Sequence, residues 1–170
     1  TVTATDLQLL NRQVGATISQ TDSVLAITLS TRRDTVDHIN DKHLRALPGE
    51  STMFRGSIEG DFPESCLPTP IELEIKTGAQ VLFIRNDREK RWVNGTLGTI
   101  IGIGDEEDGH IYVRTEDGQD VDVEREIWSN VKYTFDTEEQ KIVEQEIGTY
   151  TQFPLRLAWA ITVHKSQGLT

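Results

Sequence analysis

The chain has 170 residues, 36% hydrophobic and 26% charged, enough apolar material for a core in one or two domains, although a barrel of roughly sixty residues would be marginal alone. No apolar run reaches membrane-span length, Thr1-Val2-Thr3-Ala4 lacks the regions of a secretion signal, and a single cysteine, Cys66, excludes an internal disulfide framework and points to a reducing cytoplasm. The net charge of −11 argues against an evenly basic surface for a polyanion, but it is localised: residues 105–126 hold ten acids against Arg114 and Arg125, whereas 151–170 hold Arg156 and Lys165 and no acid.

In chain order, Asp6 to Val14 reads as a short helix and Val24 to Leu29 as an apolar strand. Thr31 is placed to cap a second helix, in which Val36, Ile39, His43 or Leu44, and Leu47 recur at helical spacing until Pro48-Gly49 stops the pattern. Phe54 to Pro70, rich in Gly, Pro and acids, reads mainly as loop. From Ile71 the period changes to two: Ile71, Leu73 and Ile75 alternate with charged residues, and further strands are expected at Val81 to Ile84, Thr96 to Ile103, His110 to Thr115 and Gln119 to Glu124. Asn94-Gly95, Asp108-Gly109 and Asp117-Gly118 supply the positive-φ residues of tight reversals. Ile127, Val131, Tyr133 and Phe135 alternate again, and Ile142 to Tyr150 forms another strand. So many short strands favour a small barrel set between an α/β beginning and an α/β end. Pro154 suits the first position of a helix and Gly168 the residue beyond its end, which predicts a helix over Leu155 to Gln167.

On that helix Thr162, Lys165 and Ser166 share a face with His164 beside them. A hydroxyl, an imidazole and an ammonium within one turn are the donors that a phosphate backbone needs, although a terminal Lys and Gly also cap many ordinary surface helices. Other constellations are weaker. Asp34 and His38 lie four apart but lack a third ligand, so they read as a solvated helix face rather than a metal site. Asp105-Glu-Glu-Asp-Gly109 lacks the ligand order of a calcium loop, and Gly102-Ile-Gly104 opens no helix and is no dinucleotide fingerprint. Cys66 has no activating base nearby. Trp92 and Trp128 suit a barrel core or rim more than a base-stacking platform.

The string Ala160-Ile-Thr-Val-His-Lys-Ser-Gln-Gly168 resembles motif V of superfamily 1B DNA helicases of the Pif and RecD type. Leu29-Ser-Thr-Arg-Arg-Asp-Thr-Val-Asp-His-Ile-Asn40 is similar to their motif IV, with Arg33 standing where an Asn is expected. Leu67 to Asp87, followed by Trp92-Val-Asn-Gly-Thr-Leu-Gly-Thr99, looks like the approach to the small Src-homology-3-like barrel inserted in their second RecA-like domain. The resemblance implies that 1–79 begin that α/β domain, 80–135 form the inserted β-barrel, and 136–170 return to the domain with motif V. It implies DNA contacts for Thr162, His164 and Lys165 and nucleotide coupling for Gln167 and Gly168. Thr31, Arg32 and Arg33 add a helix N-terminus flanked by guanidinium groups, a suitable place for a phosphate.

No Gly-x-x-x-x-Gly-Lys-Ser/Thr phosphate loop occurs anywhere in the sequence. The expectation is therefore a fragment of an ATP-dependent DNA helicase, inactive alone and without catalytic or metal-ligating residues of its own. ATP and Mg2+ would belong to a missing ATP-binding RecA-like domain of the same polypeptide. Expected partners are single-stranded DNA and duplex or fork DNA, with no membrane association. The alternatives are a non-enzymatic barrel module binding nucleic acid or protein, and a regulatory subunit without an ATPase half.

Overall fold

The computed structural model describes residues 3–12, 25–104, 109–136 and 141–166. Helix α1 (Ala4–Asn11) opens on a reciprocal cap, in which Thr3 N–H donates to the Asp6 carboxylate (2.8 Å) and Asp6 N–H donates to Thr3 Oγ1 (3.2 Å). Strand β1 (Thr28–Ser30) leads into α2 (Arg33–Ala46), whose buried face is Val36, Asn40 and Leu44 at four-residue spacing. The residue capping α2 is Arg32, not Thr31 as its sequence position suggested, and no side chain caps the helix; Ser30 Oγ instead accepts the Arg32 N–H (3.2 Å).

The stretch expected to be loop contains two strands, β2 (Thr52–Arg55) and β3 (Ser57–Gly60), before a short 3-10 turn at Glu64–Cys66. Their partners are distant in sequence, which local composition does not register. Strand β2 runs antiparallel to β4 (Glu72–Ile75), with Phe54 opposite Leu73, and both of these side chains are buried.

Strands β5 (Gln80–Phe83), β6 (Leu97–Ile103), β7 (Ile111–Thr115) and β8 (Asp120–Val123) follow, then the hairpin of β9 (Glu126–Asp136) and β10 (Lys141–Gln152). Then come β11 (Leu155–Leu157), β12 (Ala160–Thr162) and α3 (Val163–Ser166). Strands β11, β5, β6, β7 and β8 form one antiparallel sheet in that order, and β9 and β3 flank β10 in another. No ladder closes these sheets into a continuous ring among the described residues. At the β3–β10 crossing Gly60 faces Gly148, where a side-chain carbon on Gly148 would lie 2.4 Å from the Asp61 carbonyl oxygen.

One core runs from Leu44, Phe54 and Leu73 through Ile75, Phe83, Ile100, Ile111 and Val123 to Phe153 and Leu155. Trp92 belongs to this core, stacked on Phe83 at 4.5 Å, and is 6% exposed, so it offers no face to a base. Trp128 is half-buried against Tyr150. The alternation over Ile127 to Phe135 does form a strand, but Ile127, Tyr133 and Phe135 point to solvent, each more than half exposed. No helix of the described residues is long and apolar enough to cross a membrane.

The helix expected over Leu155 to Gln167 is absent from its first eight residues. Leu155 pairs with Phe83, Ala160 pairs with Thr28, and helical structure starts only at Val163. A short apolar run fits a buried strand as well as a buried helix, and here partners on both sides decide for strand. Phe153, Leu155, Ala158, Ala160 and Ile161 are all buried, more than one helical face would cover.

Candidate nucleic-acid interface

Strands β1 and β12 run parallel, Thr28 opposite Ala160, Leu29 opposite Ile161 and Ser30 opposite Thr162. The segments that follow them therefore leave the same end of the strand pair. Thr31, Arg32 and Arg33 emerge from β1 into α2, and Val163 and His164 emerge from β12 into α3. The carboxyl end of parallel strands is where open α/β sheets receive ligands, because the chain reverses there and backbone groups are left unpaired.

Most of the expected contact residues are brought together here. Thr31, Arg32, Arg33 and His164 are exposed and Thr162 is half-buried at the strand end. The backbone of Lys165 lies in α3, whereas Gln167 and Gly168 fall outside the described residues. Because Thr162 ends a strand, it and Lys165 do not share the helical face that the sequence suggested.

Arg32 Nε and Nη2 chelate the Asp34 carboxylate at 3.1 and 2.5 Å, and this pairing, with the Thr35 N–H, holds the Asp34 carboxyl below the usual carboxylate range. Arg33 is less engaged: its side chain is 89% exposed and its nearest carboxylate, on Asp37, is 3.9 Å away. A third guanidinium lies behind it. Arg156, on β11, donates from Nε to the Pro68 carbonyl (2.7 Å) and from Nη2 to the same oxygen. Burial first, and then the neighbouring charge of Arg33, lower the Arg156 pKa from its ordinary value.

Acidic groups concentrate elsewhere in the topology. On β8, Asp122 pairs with His110, the residue before β7 (2.8 Å), and Asp120 with Arg114 of β7 (2.6 Å). Strand β8 is the edge of its sheet furthest from β11, the strand that leads into β12.

Three amides that the sequence analysis passed over hold the frame. Asn40 bonds both backbone groups of Ala160: its Nδ2 donates to Ala160 O (3.0 Å) and its Oδ1 accepts Ala160 N–H (2.9 Å). Gln80 Nε2 donates to Ala26 O (2.9 Å) and Ala158 O (2.8 Å), tying the five-stranded sheet to the approaches of β1 and β12. Gln152 is fully buried; its Nε2 donates to Phe54 O and Ile71 O, and its Oε1 accepts Phe153 N–H. A signal for Asn40 was present, since it stands between Val36 and Leu44 on the inward stripe of α2, where a lone polar residue requires a partner.

No protein-family signature matches the chain. Individual proteins do. The ATP-dependent DNA helicase Pif1 of Psychrobacter sp. is 32% identical over 199 residues, and PIF1 of Mus musculus is 33% identical over 174 residues, the alignments covering 84% and 95% of this chain. The crystal structure of Bacteroides sp Pif1 in complex with ADP-AlF4 superimposes on 99% of the chain with a TM-score of 0.87 at 39% identity. The chain belongs to the Pif1-type helicases. It spans 28% and 24% of the two curated Pif1 relatives and 38% of that Pif1 crystal chain. A second Bacteroides Pif1 structure, bound to ssDNA, also covers 99% of the chain, with a TM-score of 0.71. The mixed α/β architecture is thus that of a Pif1 helicase segment.

Proposed function

We propose that this chain is the strand-gripping and coupling part of an ATP-dependent DNA helicase that moves along single-stranded DNA and opens duplexes. The observation that carries the reading is the parallel pairing of Ser30 with Thr162, which sets the two motif-bearing segments side by side at one sheet end. Thr31, Arg32, Arg33, Thr162, His164 and Lys165 are the proposed contacts to the phosphate backbone, and Gln167 and Gly168 the proposed relay toward nucleotide. The Pif1 structures bound to ssDNA and at forked dsDNA support single strands and forks as partners. Residues 80–135 are assigned to an inserted Src-homology-3-like barrel on the strength of the antiparallel β5 to β8 run, a sheet to which Leu155–Leu157 adds one further strand.

The residues of this chain do not fit an ATP–Mg2+ site by themselves. The sequence has no phosphate loop, and no cluster of three His, Cys, Asp or Glu side chains that could hold a metal occurs among the described residues. The nucleotide and its metal are therefore assigned to an ATP-binding half of the polypeptide. What this chain contributes is grip: cations and hydroxyls meet sugar–phosphate without reading base sequence, and a change of grip between two states of the motor gives stepping.

The test is single-strand binding by the intact protein carrying Arg33→Ala or Lys165→Ala. Each substitution should weaken binding similarly for any base sequence and lower the salt dependence by about one ion, a slope change of roughly 0.7 for single strands. An unchanged affinity and salt slope for both variants would remove the proposed grip.

A further inference from the structure

The Asn40 side chain closes the outer edge of β12 as a strand would. Thr28 N–H donates to Trp159 O (2.9 Å), so the Trp159 carbonyl faces β1. Successive residues of a strand direct their backbone groups to opposite sides, which turns the N–H and C=O of Ala160 away from β1. Asn40 meets both with one carboxamide, and it is 8% exposed, so water does not compete. A planar amide that donates and accepts on adjacent atoms reproduces the two bonds of a neighbouring peptide.

Two consequences follow from position. Ala160 is two residues before Thr162 and four before His164, while Asn40 lies seven residues after Arg33, two turns along the same helix. The clamp therefore fixes how far β12 can slide along α2, and with it the spacing between the cations at the start of α2 and the groups that follow β12. We infer that Asn40 is a positioning residue for the DNA grip: it holds the α2 and β12 contact groups in one register without touching DNA. This inference rests on the proposed function, since it assigns Asn40 a role in that interface.

The chemistry of the clamp supplies a readout that simple loss of packing lacks. In Asn40→Asp the ionised carboxylate still accepts Ala160 N–H but turns a second oxygen lone pair toward Ala160 O, where the wild-type amide donates. Protonation restores a donor at that atom. The burial and the facing carbonyl both favour the neutral acid, so the variant regains the two-bond clamp as pH falls. Asn40→Ala has nothing to titrate. The other ionisable groups of α2, Arg33, Asp34, Asp37, His38, Asp41, Lys42, His43 and Arg45, and beside it Arg156 and His164, are the same in all three proteins and cancel in the ratio to wild type.

The experiment is single-stranded oligonucleotide binding by the intact protein, wild type, Asn40→Asp and Asn40→Ala, between pH 8 and about pH 5, with melting temperatures taken in parallel. The expected result at pH 8 is a loss of about tenfold in affinity for both variants, the size of one or two buried hydrogen bonds. For Asn40→Asp that ratio should close toward one on acidification, and for Asn40→Ala it should stay constant. Wild-type-like affinity of both variants at pH 8, or an Asn40→Asp deficit that does not change with pH, would overturn the positioning role. Failure of the wild-type protein to bind single strands would instead overturn the proposed function on which it rests.

Discussion

Replacing Gln152 by Leu isolates what a single buried amide contributes. The side chain is fully buried, and it satisfies four backbone groups from three segments: Phe54 O at 3.0 Å, Ile71 O at 3.2 Å, Pro70 O at 3.4 Å and Phe153 N–H at 3.0 Å. Leucine has a similar size and no polar atom. Each short bond is worth about 1 kcal/mol net, and a stranded buried partner costs about 1–3 kcal/mol. Counting the Phe153 N–H fully and the carbonyls partly gives a loss of about 4 kcal/mol; the greater hydrophobicity of Leu offsets roughly 1–2 kcal/mol of this. The expected net destabilisation is about 2–3 kcal/mol. Urea unfolding followed by the fluorescence of Trp92, Trp128 and Trp159 measures it. A change below about 0.5 kcal/mol would show that the amide is not holding β2, β4 and the β10–β11 junction together.

Three further outcomes are expected. Asp87 accepts from Arg91 Nε (2.9 Å), Nη2 (2.9 Å) and N–H (3.0 Å), and Arg91 chiefly holds its carboxyl below the ordinary value; that stabilisation is complete above the unfolded carboxyl pKa and is lost as pH falls through the lower folded value. Asp87→Asn should therefore flatten the dependence of the melting temperature on pH below about pH 4, whereas an unchanged acid limb would refute the linkage. Trp92→Ala should cost about 3–5 kcal/mol by emptying the core beside Phe83, read by the same urea midpoint. Gly148→Ala forces a carbon against the Asp61 backbone and should expose the β3–β10 crossing to limited proteolysis; wild-type resistance would show that the crossing can shift.

The antiparallel strands β4 to β8 were legible in the sequence because β4, β7 and β8 alternate inward and outward residues, β5 and β6 are short apolar runs, and Gly-containing turns punctuate them, as at Gly95 and Gly118, which both take positive φ. The 155–162 stretch was not, because Leu155, Ala158, Ala160 and Ile161 are buried and the residues between them are at most partly exposed, which leaves no clear period to read. Strands β2 and β3 were hidden for another reason: their partners are β4 and β10, and nothing in Ser51 to Asp61 itself specifies pairing at that distance. The residues of the candidate interface were legible as chemistry, and their adjacency at the ends of β1 and β12 was not. Asn40, Gln80 and Gln152 show the limit most clearly, since an amide reads as surface until the backbone groups it meets are known.

Closing the chain on itself carries a kinetic consequence. Asn40 and Ala160 are 120 residues apart, and β2 to β11 lie between them. Joining ends at that separation through a disordered loop costs roughly 4 kcal/mol in entropy, against a three-residue strand pair and one side-chain clamp. The five-stranded sheet shortens that loop before the ends meet, so it should fold first and deliver β12 to β1. During synthesis the Asn40 amide must wait for its Ala160 partners until β12 has left the ribosome. A slow-folding or truncated β5 to β11 stretch would then leave both halves of the proposed grip made but never joined.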